Sequence, residues 1–237
     1  MKESSAGTSI LFYIQYFNMI KNTIGITVAA LLLSFSATAQ RSTKLALLKY
    51  NGGGDWYAVV DAMQNLAQFC NEQLNMNVDR NYATVEVGSA EIFNYPFLFM
   101  TGHGNVVFSD AEAANLRNYL LGGGFLYVDD DYGMDPYFRV AIKKVFPDKE
   151  LVELPFQHAV YNQRFRFGNG APKVHEHDGK APQVFGILHE GRVVCLYTYE
   201  SNISDGWESP EVHDTPEPLR RRSLEMGANI VQFAFTQ

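Results

Sequence analysis

The chain has 237 residues and a formal net charge of −7, with 26 acidic residues against 19 basic ones. An acidic chain of mixed charge lacks the basic surface that nucleic acid or an anionic membrane would require, so neither is expected as a partner. The two cysteines, Cys70 and Cys195, are too few for a disulfide framework. Both lie among apolar neighbours, which favours buried thiols over a pair.

Residues 1–39 have the organisation of an export signal. A basic segment that starts at Met19 is followed by the apolar run Ile24–Phe35 and by the small-residue triplet Ala37–Ala39. We predict cleavage after Ala39, which makes the segment before Met19 an upstream extension and the mature protein periplasmic or extracellular. The alternative is an uncleaved anchor, but the apolar run is short for a bilayer span of about 20 residues. No stable membrane span is expected after cleavage.

Residues 40–237 alternate between short apolar runs and helical patterns, which predicts a single α/β domain. The predicted strands are Leu45–Tyr50, Thr84–Val87, Pro96–Thr101 and Phe125–Val128. The predicted helices are Trp56–Leu74 capped by Asp55, a second from the capping box Ser109–Glu112 to Gly122, and a third with Asp135 as its N-cap and Pro136 at its first position, which Pro147 ends. Runs separated by capped helices predict a mainly parallel central sheet, with the strands near residues 45–50, 97–101 and 125–128 as near neighbours.

The second half of the domain has a different composition. Residues 155–182 are rich in Gly, Pro, Asn and His without a period, which predicts a long irregular segment, either a binding loop or a tolerated insertion. Val184–His189 and Arg192–Tyr199 are joined by a two-residue turn and predict a β-hairpin. A last helix begins near Pro218, and its predicted buried residues are Leu224, Gly227, Ile230, Val231 and Ala234.

Four motifs, in this order along the chain, indicate a family. They are Gly52–Trp56 (GGGDW), Tyr95–Gly104 (YPFLFMTGHG), Leu116–Asp130 (LRNYLLGGGFLYVDD) and Asp205–Glu208 (DGWE). Together they resemble an uncharacterised bacterial family catalogued as domain of unknown function 4159, over nearly the whole predicted domain. The resemblance implies a flavodoxin-like, three-layer sandwich similar to class I glutamine amidotransferases, with the C-terminal hairpin and helix added. It implies no particular reaction.

The amidotransferase comparison can be tested on the residues themselves. In that superfamily a strand like Phe125–Val128 ends in an elbow that carries a cysteine nucleophile. Here the elbow is Asp129–Asp131, while Cys70 falls on the first predicted helix and Cys195 in the hairpin. Glutamine hydrolysis by the usual thiolate route is therefore excluded.

Polar residues follow several predicted strands and should meet at the carboxyl edge of the sheet, where such folds bind ligands. In an extended segment Asp129 and Asp131 should point one way and Asp130 the other. The candidate ligand-binding residues are Gly53, Gly54, Asp55, Trp56, Gly102, His103, Gly104, Asp129, Asp130, Asp131, His158, Asp205 and Trp207.

The same edge offers two kinds of chemistry. His103, Asp129 and Asp130, with Asp205 as a further candidate, would hold a divalent metal or a polyol, because close carboxylates need a cation or donors. The alternative assigns these aspartates to a cap, a turn and solvent, with no cofactor. His175 and His177 also suit a metal, but their Gly/Pro-bounded tract is more typical of a solvated surface, and His213 is expected to be exposed.

Two functions follow from this interpretation. The first is an exported binding module that lacks the amidotransferase nucleophile and holds a polar small molecule, a carbohydrate or a cell-envelope protein. The second is a hydrolase in which His103, Asp129 or Asp130 carries out acid–base or metal-assisted chemistry on carbohydrate or another envelope component. The sequence leaves open whether the protein is an enzyme.

Overall fold

The computed structural model describes residues 16–17, 19–21 and 42–237, and the chain forms two compact units, Met1–Arg41 and Ser42–Gln237. In the first unit the described residues are helical. The rest of the predicted signal peptide, including the cleavage site after Ala39, lies outside the described residues. Among the residues that are described, no helix combines the length and the apolar character needed to cross a bilayer.

Residues 42–237 form an α/β domain around one mixed sheet of seven strands. The strands are β1 (Ala46–Lys49), β2 (Ala83–Glu86), β3 (Phe97–His103), β4 (Phe125–Tyr132), β5 (Val152–Glu153), β6 (Gln183–His189) and β7 (Arg192–Tyr199). Their order is β2-β1-β3-β4-β7-β6-β5. The pairs β2–β1, β1–β3, β3–β4 and β4–β7 are parallel, and the pairs β7–β6 and β6–β5 are antiparallel. The α/β fold is confirmed, and β1, β3 and β4 are adjacent.

Five α-helices accompany the sheet: α1 (Ala62–Leu74), α2 (Asp110–Leu121), α3 (Asp135–Val145), α4 (Pro210–His213) and α5 (Glu217–Thr236). Three 3-10 helices cover Ala90–Asn94, Ala159–Tyr161 and Asp205–Trp207. Side chains alternate across β1, so that Leu47 packs with residues of α1 and α5 while Leu48 packs with residues of α2 and α3. Each face of the sheet therefore has its own hydrophobic core.

The predicted helix cap, the hairpin turn and the free cysteines are confirmed. The Ser109 side chain accepts a hydrogen bond from the Glu112 N–H, and Glu112 accepts one from the Ser109 N–H, which completes the capping box. In the predicted hairpin Glu190 and Gly191 have φ values of 50° and 82°, as a tight two-residue turn requires. Cys70 and Cys195 are both free and buried, as predicted.

Three boundaries differ from the predictions. Helix α1 begins at Ala62 rather than Trp56, because Asp55 accepts the main-chain N–H of His103 instead of capping a helix. Asp135 is the first residue of α3 rather than its cap, and its carboxylate pairs with Arg139 at 2.8 Å. Strand β4 continues beyond Val128 to Tyr132. Asp129 and Asp130 pair with Thr101 and Gly102 of β3, and after a register shift Tyr132 pairs with His103.

Candidate functional site

A cavity of about 620 Å³ opens at the carboxyl edge of β3 and β4. Strand ends deliver His103, Asp131 and Tyr132, and the other contributions come from loops and short helices. The residues that line the cavity are Ala58, His103, Asp131, Tyr132, His175, Glu176, His177, Asn202, Asp205 and His213. Nearly all of them carry polar or ionisable side chains, which marks this edge as the candidate functional site.

Gly54, after β1, and Gly102, near the end of β3, let these two segments approach each other closely. Gly102 has a φ of 135°, and a Cβ there would lie 2.5 Å from the Tyr50 hydroxyl oxygen. A Cβ on Gly54 would lie 2.8 Å from the carbonyl oxygen of His103. This close approach allows Asp55 Oδ1 to accept the His103 main-chain N–H and puts Asp55 Oδ2 3.0 Å from His103 Nδ1.

Asp131 connects His103 to the second half of the site. Asp131 Oδ2 lies 3.3 Å from His103 Nδ1, and its Oδ1 accepts a hydrogen bond from Asn202 Nδ2 at 2.6 Å. The same amide nitrogen donates to Asp205 Oδ2 at 3.0 Å. Burial raises the pKa of Asp131 well above its usual range, and the nearby carboxylate of Asp205 raises it further.

The other two aspartates of β4 do not line the cavity. Asp129 is fully buried and accepts hydrogen bonds from Thr198 Oγ1 and from both the N–H and the hydroxyl of Ser204. Its burial outweighs these donors and raises its pKa to about 7. Asp130 points to the opposite face, where it accepts the Met134 N–H at 2.9 Å, and burial raises its pKa to about 6.

The metal set predicted from sequence, His103 with Asp129 and Asp130, is therefore not brought together. Asp130 points to the opposite face because of the strand period of two, whereas Asp129 is fully buried, with its carboxylate held by Thr198 and Ser204. Of the three aspartates, only Asp131 reaches the cavity beside His103.

A second group of ligand atoms lies on the other side of the cavity. His175 Nδ1 is 3.0 Å from Asp205 Oδ2, and His213 Nε2 is 3.6 Å from Asp205 Oδ1. Within the described chain, one ligand atom from each of these three residues lies within 4.8 Å of the other two. Glu208 Oε2 lies 2.8 Å from His213 Nε2, and burial raises the pKa of Glu208.

The loop that carries His175 is tied to the end of β7. Glu200 is fully buried with a φ of 58°, and its carboxylate accepts from Lys173 Nζ at 3.2 Å and from the Asp178 N–H at 3.1 Å. These contacts lower the pKa of Glu200 despite its burial. The irregular segment predicted from sequence is thus fixed at two points on either side of His175.

Other predicted site residues lie elsewhere. Trp207 is fully buried in the core, where its Nε1 donates to the Ser223 carbonyl oxygen at 2.9 Å. His158 caps the 3-10 helix Ala159–Tyr161 and packs against Phe233, at the end of the sheet where β4 begins. Trp56 is half-buried outside the lining of the cavity. Gly53 and Gly104 have left-handed φ values of 90° and 73° with open space around them.

Several residues of the site were not among the sequence candidates. They are Tyr132, His175, Glu176, His177, Asn202, Glu208 and His213. The spacing of His175 and His177 and the neighbouring DGWE motif were the available signals. Neither indicated that the two segments meet, because their contact depends on long-range packing.

The sequence was compared with known proteins. A family model described as "Domain of unknown function (DUF4159)" matches residues 44–235. No curated protein matches the chain. Because the family model covers far more than half of the sequence, the chain belongs to the domain of unknown function family DUF4159.

Proposed function

We propose that this protein is an exported binding protein that holds a neutral, hydroxyl-rich ligand, a carbohydrate, in the cavity at the carboxyl edge. The observation that carries the proposal is the composition of the cavity wall. It combines carboxylates and imidazoles, and no Lys or Arg is among the lining residues in the described part of the chain. Anionic ligands such as sugar phosphates would meet negative charge without a compensating cation.

Hydroxyl groups suit this wall because they both donate and accept hydrogen bonds. The carboxyl groups of Asp131 and Asp205 offer acceptors. The His103 side chain is 50% exposed, so its imidazole is accessible to a ligand. The Tyr132 ring, 51% exposed, lies 4.8 Å from the His177 ring and presents an aromatic surface at the cavity. Such a surface packs against the apolar face of a sugar ring.

The proposal includes a three-layer fold of the class I glutamine amidotransferase type without its nucleophile. In support, helices cover both faces of the sheet, and the segment Asp129–Asp131 stands where that superfamily carries its cysteine. Burial raises the pKa of the Cys70 thiol to about 12 and that of Cys195 further still, so neither provides a thiolate at neutral pH. Export is proposed from the signal-like sequence of residues 1–39.

A hydrolase is the second candidate, and one contact favours it. His103 Nδ1 lies between two carboxylates, 3.0 Å from Asp55 Oδ2 and 3.3 Å from Asp131 Oδ2. A carboxylate on one ring nitrogen orients the imidazole and leaves the other nitrogen to exchange protons with a substrate or water. Release of reducing sugar from the bound carbohydrate would distinguish this function from binding alone.

The test is calorimetric titration of the full chain with neutral oligosaccharides of bacterial envelope polysaccharides and with matched sugar phosphates. We expect binding of a neutral sugar and weaker binding of its phosphate. Asp131→Asn should weaken binding at least tenfold because it replaces a carboxyl oxygen at the cavity with an amide nitrogen. Asp130→Asn is the matched control on the opposite face and should bind as the wild type does. Equal affinity in both variants and the wild type, or tighter binding of the phosphates, would contradict the proposal.

A further inference from the structure

We infer that His175, Asp205 and His213 form a binding site for a divalent transition-metal ion of the zinc type, with the Glu208 carboxylate beside it. The inference goes beyond the proposed function, because a metal ion can bind here whether or not a carbohydrate occupies the cavity. Of the residues predicted to hold a metal it keeps Asp205, and His175 and His213 take the place of His103, Asp129 and Asp130.

The first feature is the spacing of the ligand atoms. In a tetrahedral zinc site with bonds of about 2.0 to 2.1 Å, neighbouring ligand atoms are about 3.3 Å apart. Asp205 Oδ2 lies 3.0 Å from His175 Nδ1, and Asp205 Oδ1 lies 3.6 Å from His213 Nε2. The two histidine rings are arranged edge to face, with centroids 5.5 Å apart. These two distances involve different oxygens of Asp205; with one atom from each residue, the three atoms lie within 4.8 Å of one another, so side-chain rotations would bring them to bonding distance of one ion.

The second feature is a group of buried carboxyl groups with no Lys or Arg beside them. Asp131, Asp205 and Glu208 are 5%, 6% and 2% exposed. Among the described residues, the ion-pair partners of these three carboxylates are all histidines, not Lys or Arg. Buried carboxylates without a full positive charge are costly, and a divalent cation at this position would compensate them.

The third feature is a buried carboxylate oxygen beside the site whose described partner is the imidazole of His213. Glu208 Oε1 accepts the Val60 N–H at 2.6 Å, which fixes the carboxylate, whereas the buried Oε2 accepts no hydrogen bond in the described structure. This oxygen lies 2.8 Å from His213 Nε2, at ion-pair distance. A metal ion on His213 would give Oε2 a partner with a full positive charge, either directly as a further ligand or through a bound water.

The fourth feature is preorganisation. Asp205 belongs to the same 3-10 helix as the core residue Trp207, and Asn202 Nδ2 donates to its Oδ2. The loop of His175 is held by Glu200 on both sides, and the Val174 N–H donates to the Ser201 carbonyl oxygen at 2.8 Å. Outer contacts of this kind orient metal ligands and strengthen metal binding.

The donor set selects the class of metal. Two imidazoles and one carboxylate suit zinc and its neighbours in the first transition row, whereas Mg²⁺ and Ca²⁺ take mainly oxygen ligands. The three ligand residues all line the cavity, so the remaining coordination position of the ion would face the cavity. An ion there would contact a hydroxyl group of a bound ligand or a water molecule.

The experiment uses the full chain after treatment with a chelator and its removal. Titration with Zn²⁺ alone, followed by calorimetry and by elemental analysis after desalting, should show one ion per chain. The midpoint of thermal unfolding should rise with Zn²⁺ because the ion binds the folded state. Mg²⁺ and Ca²⁺ at the same concentration should produce no rise.

His213→Ala and Asp205→Asn should each weaken Zn²⁺ binding at least tenfold. Asp205→Asn keeps an acceptor for Asn202 and so guards against simple misfolding, which far-ultraviolet circular dichroism would detect. His177→Ala is the matched control, since it removes an imidazole from the same cavity outside the ligand set. Absence of Zn²⁺ binding to the wild type would overturn the inference. So would wild-type affinity in the folded Asp205 and His213 variants.

Carbohydrate titrations in the presence of the chelator separate the two proposals. Sugar binding without metal, together with no Zn²⁺ binding, would overturn the metal site and retain the proposed function. Zn²⁺ binding with no sugar binding at any metal concentration would overturn the proposed function and retain the metal site.

Discussion

Asp55 Oδ2 lies 3.0 Å from His103 Nδ1, and its other oxygen accepts the His103 main-chain N–H, so one carboxylate joins the loop after β1 to the end of β3. The glycines Gly54 and Gly102 bring these two segments close enough for the contact. The relationship fixes both the position and the orientation of the imidazole at the cavity.

Replacing Asp55 should therefore destabilise the domain. Asp55→Ala leaves the His103 N–H without its acceptor, and we expect a loss of about 1 to 2 kcal/mol in the free energy of unfolding. Asp55→Asn keeps an acceptor oxygen and should lose less than half of that amount. Urea unfolding at neutral pH measures both values. Equal losses in the two variants would show that the hydrogen bond is not the cause.

Gly54 is expected to tolerate no side chain. A Cβ there would lie 2.8 Å from the carbonyl oxygens of Asn105 and His103, and main-chain atoms cannot move aside as a flexible side chain can. We expect Gly54→Ala to cost about 1 to 3 kcal/mol through overpacking. Gly168→Ala is the control, because no atom lies within 4 Å of its Cβ position. Thermal unfolding should separate the two variants, and similar midpoints would contradict the close approach.

Asp130 should make stability depend on pH. Burial raises its pKa from 3.8 to about 6 in the folded chain. Between these values the folded state binds a proton that the unfolded state has released, so the free energy of unfolding falls as the pH rises through this window. Asp130→Asn cannot titrate, and its amide can still accept the Met134 N–H and donate to Tyr197.

The variant should therefore gain stability relative to the wild type between pH 4 and pH 7. The expected gain is on the order of 2 to 3 kcal/mol for a fully buried carboxyl group with this shift. Chemical unfolding of both proteins at each pH gives the difference, in which groups common to both cancel. A difference that stays constant with pH would show that Asp130 is not the titrating group.

The signal-like sequence predicts a defined N-terminus. If residues 1–39 are removed on export, protein recovered from the cell envelope or the medium should begin at Gln40. N-terminal sequencing or intact-mass measurement checks this. Ala39→Arg should block the small-residue cleavage site and leave a longer chain, whereas Arg41→Lys should be processed normally. Recovery of wild-type envelope protein with residues 19–39 intact would contradict cleavage.

Six of the seven strands and most helix ends were predictable because their signals are local, whereas the two-residue strand β5 was not predicted. The Ser109–Glu112 capping box and the Glu190-Gly191 turn each depend on residues that lie close together in the sequence. The order β1-β3-β4 also followed, since apolar runs separated by helices form adjacent parallel strands. Asp55 was misassigned as a helix cap because its partner His103 lies 48 positions away.

The site was predicted in part for a similar reason. His103 and Asp131 follow strands, so the topology of the sheet brings them to one edge. His175 and His213 lie in segments without a period, and distant contacts place them, such as that between the Val60 N–H and Glu208. No feature within either segment indicates these contacts. The sequence therefore locates the edge of the sheet, but not the loops that complete the cavity.

Trp207 has a further consequence for how the cavity works. Its ring lies 5.4 Å from Phe99 and 5.8 Å from Tyr127, in the core beneath the sheet, while Asp205 faces the cavity from the same helical turn. Moving the main chain at Asp205 would require opening the core, so the position of this residue is set before anything binds. A ligand or an ion that contacts Asp205 pays little ordering entropy, and its binding free energy adds to the resistance of the whole domain to global unfolding.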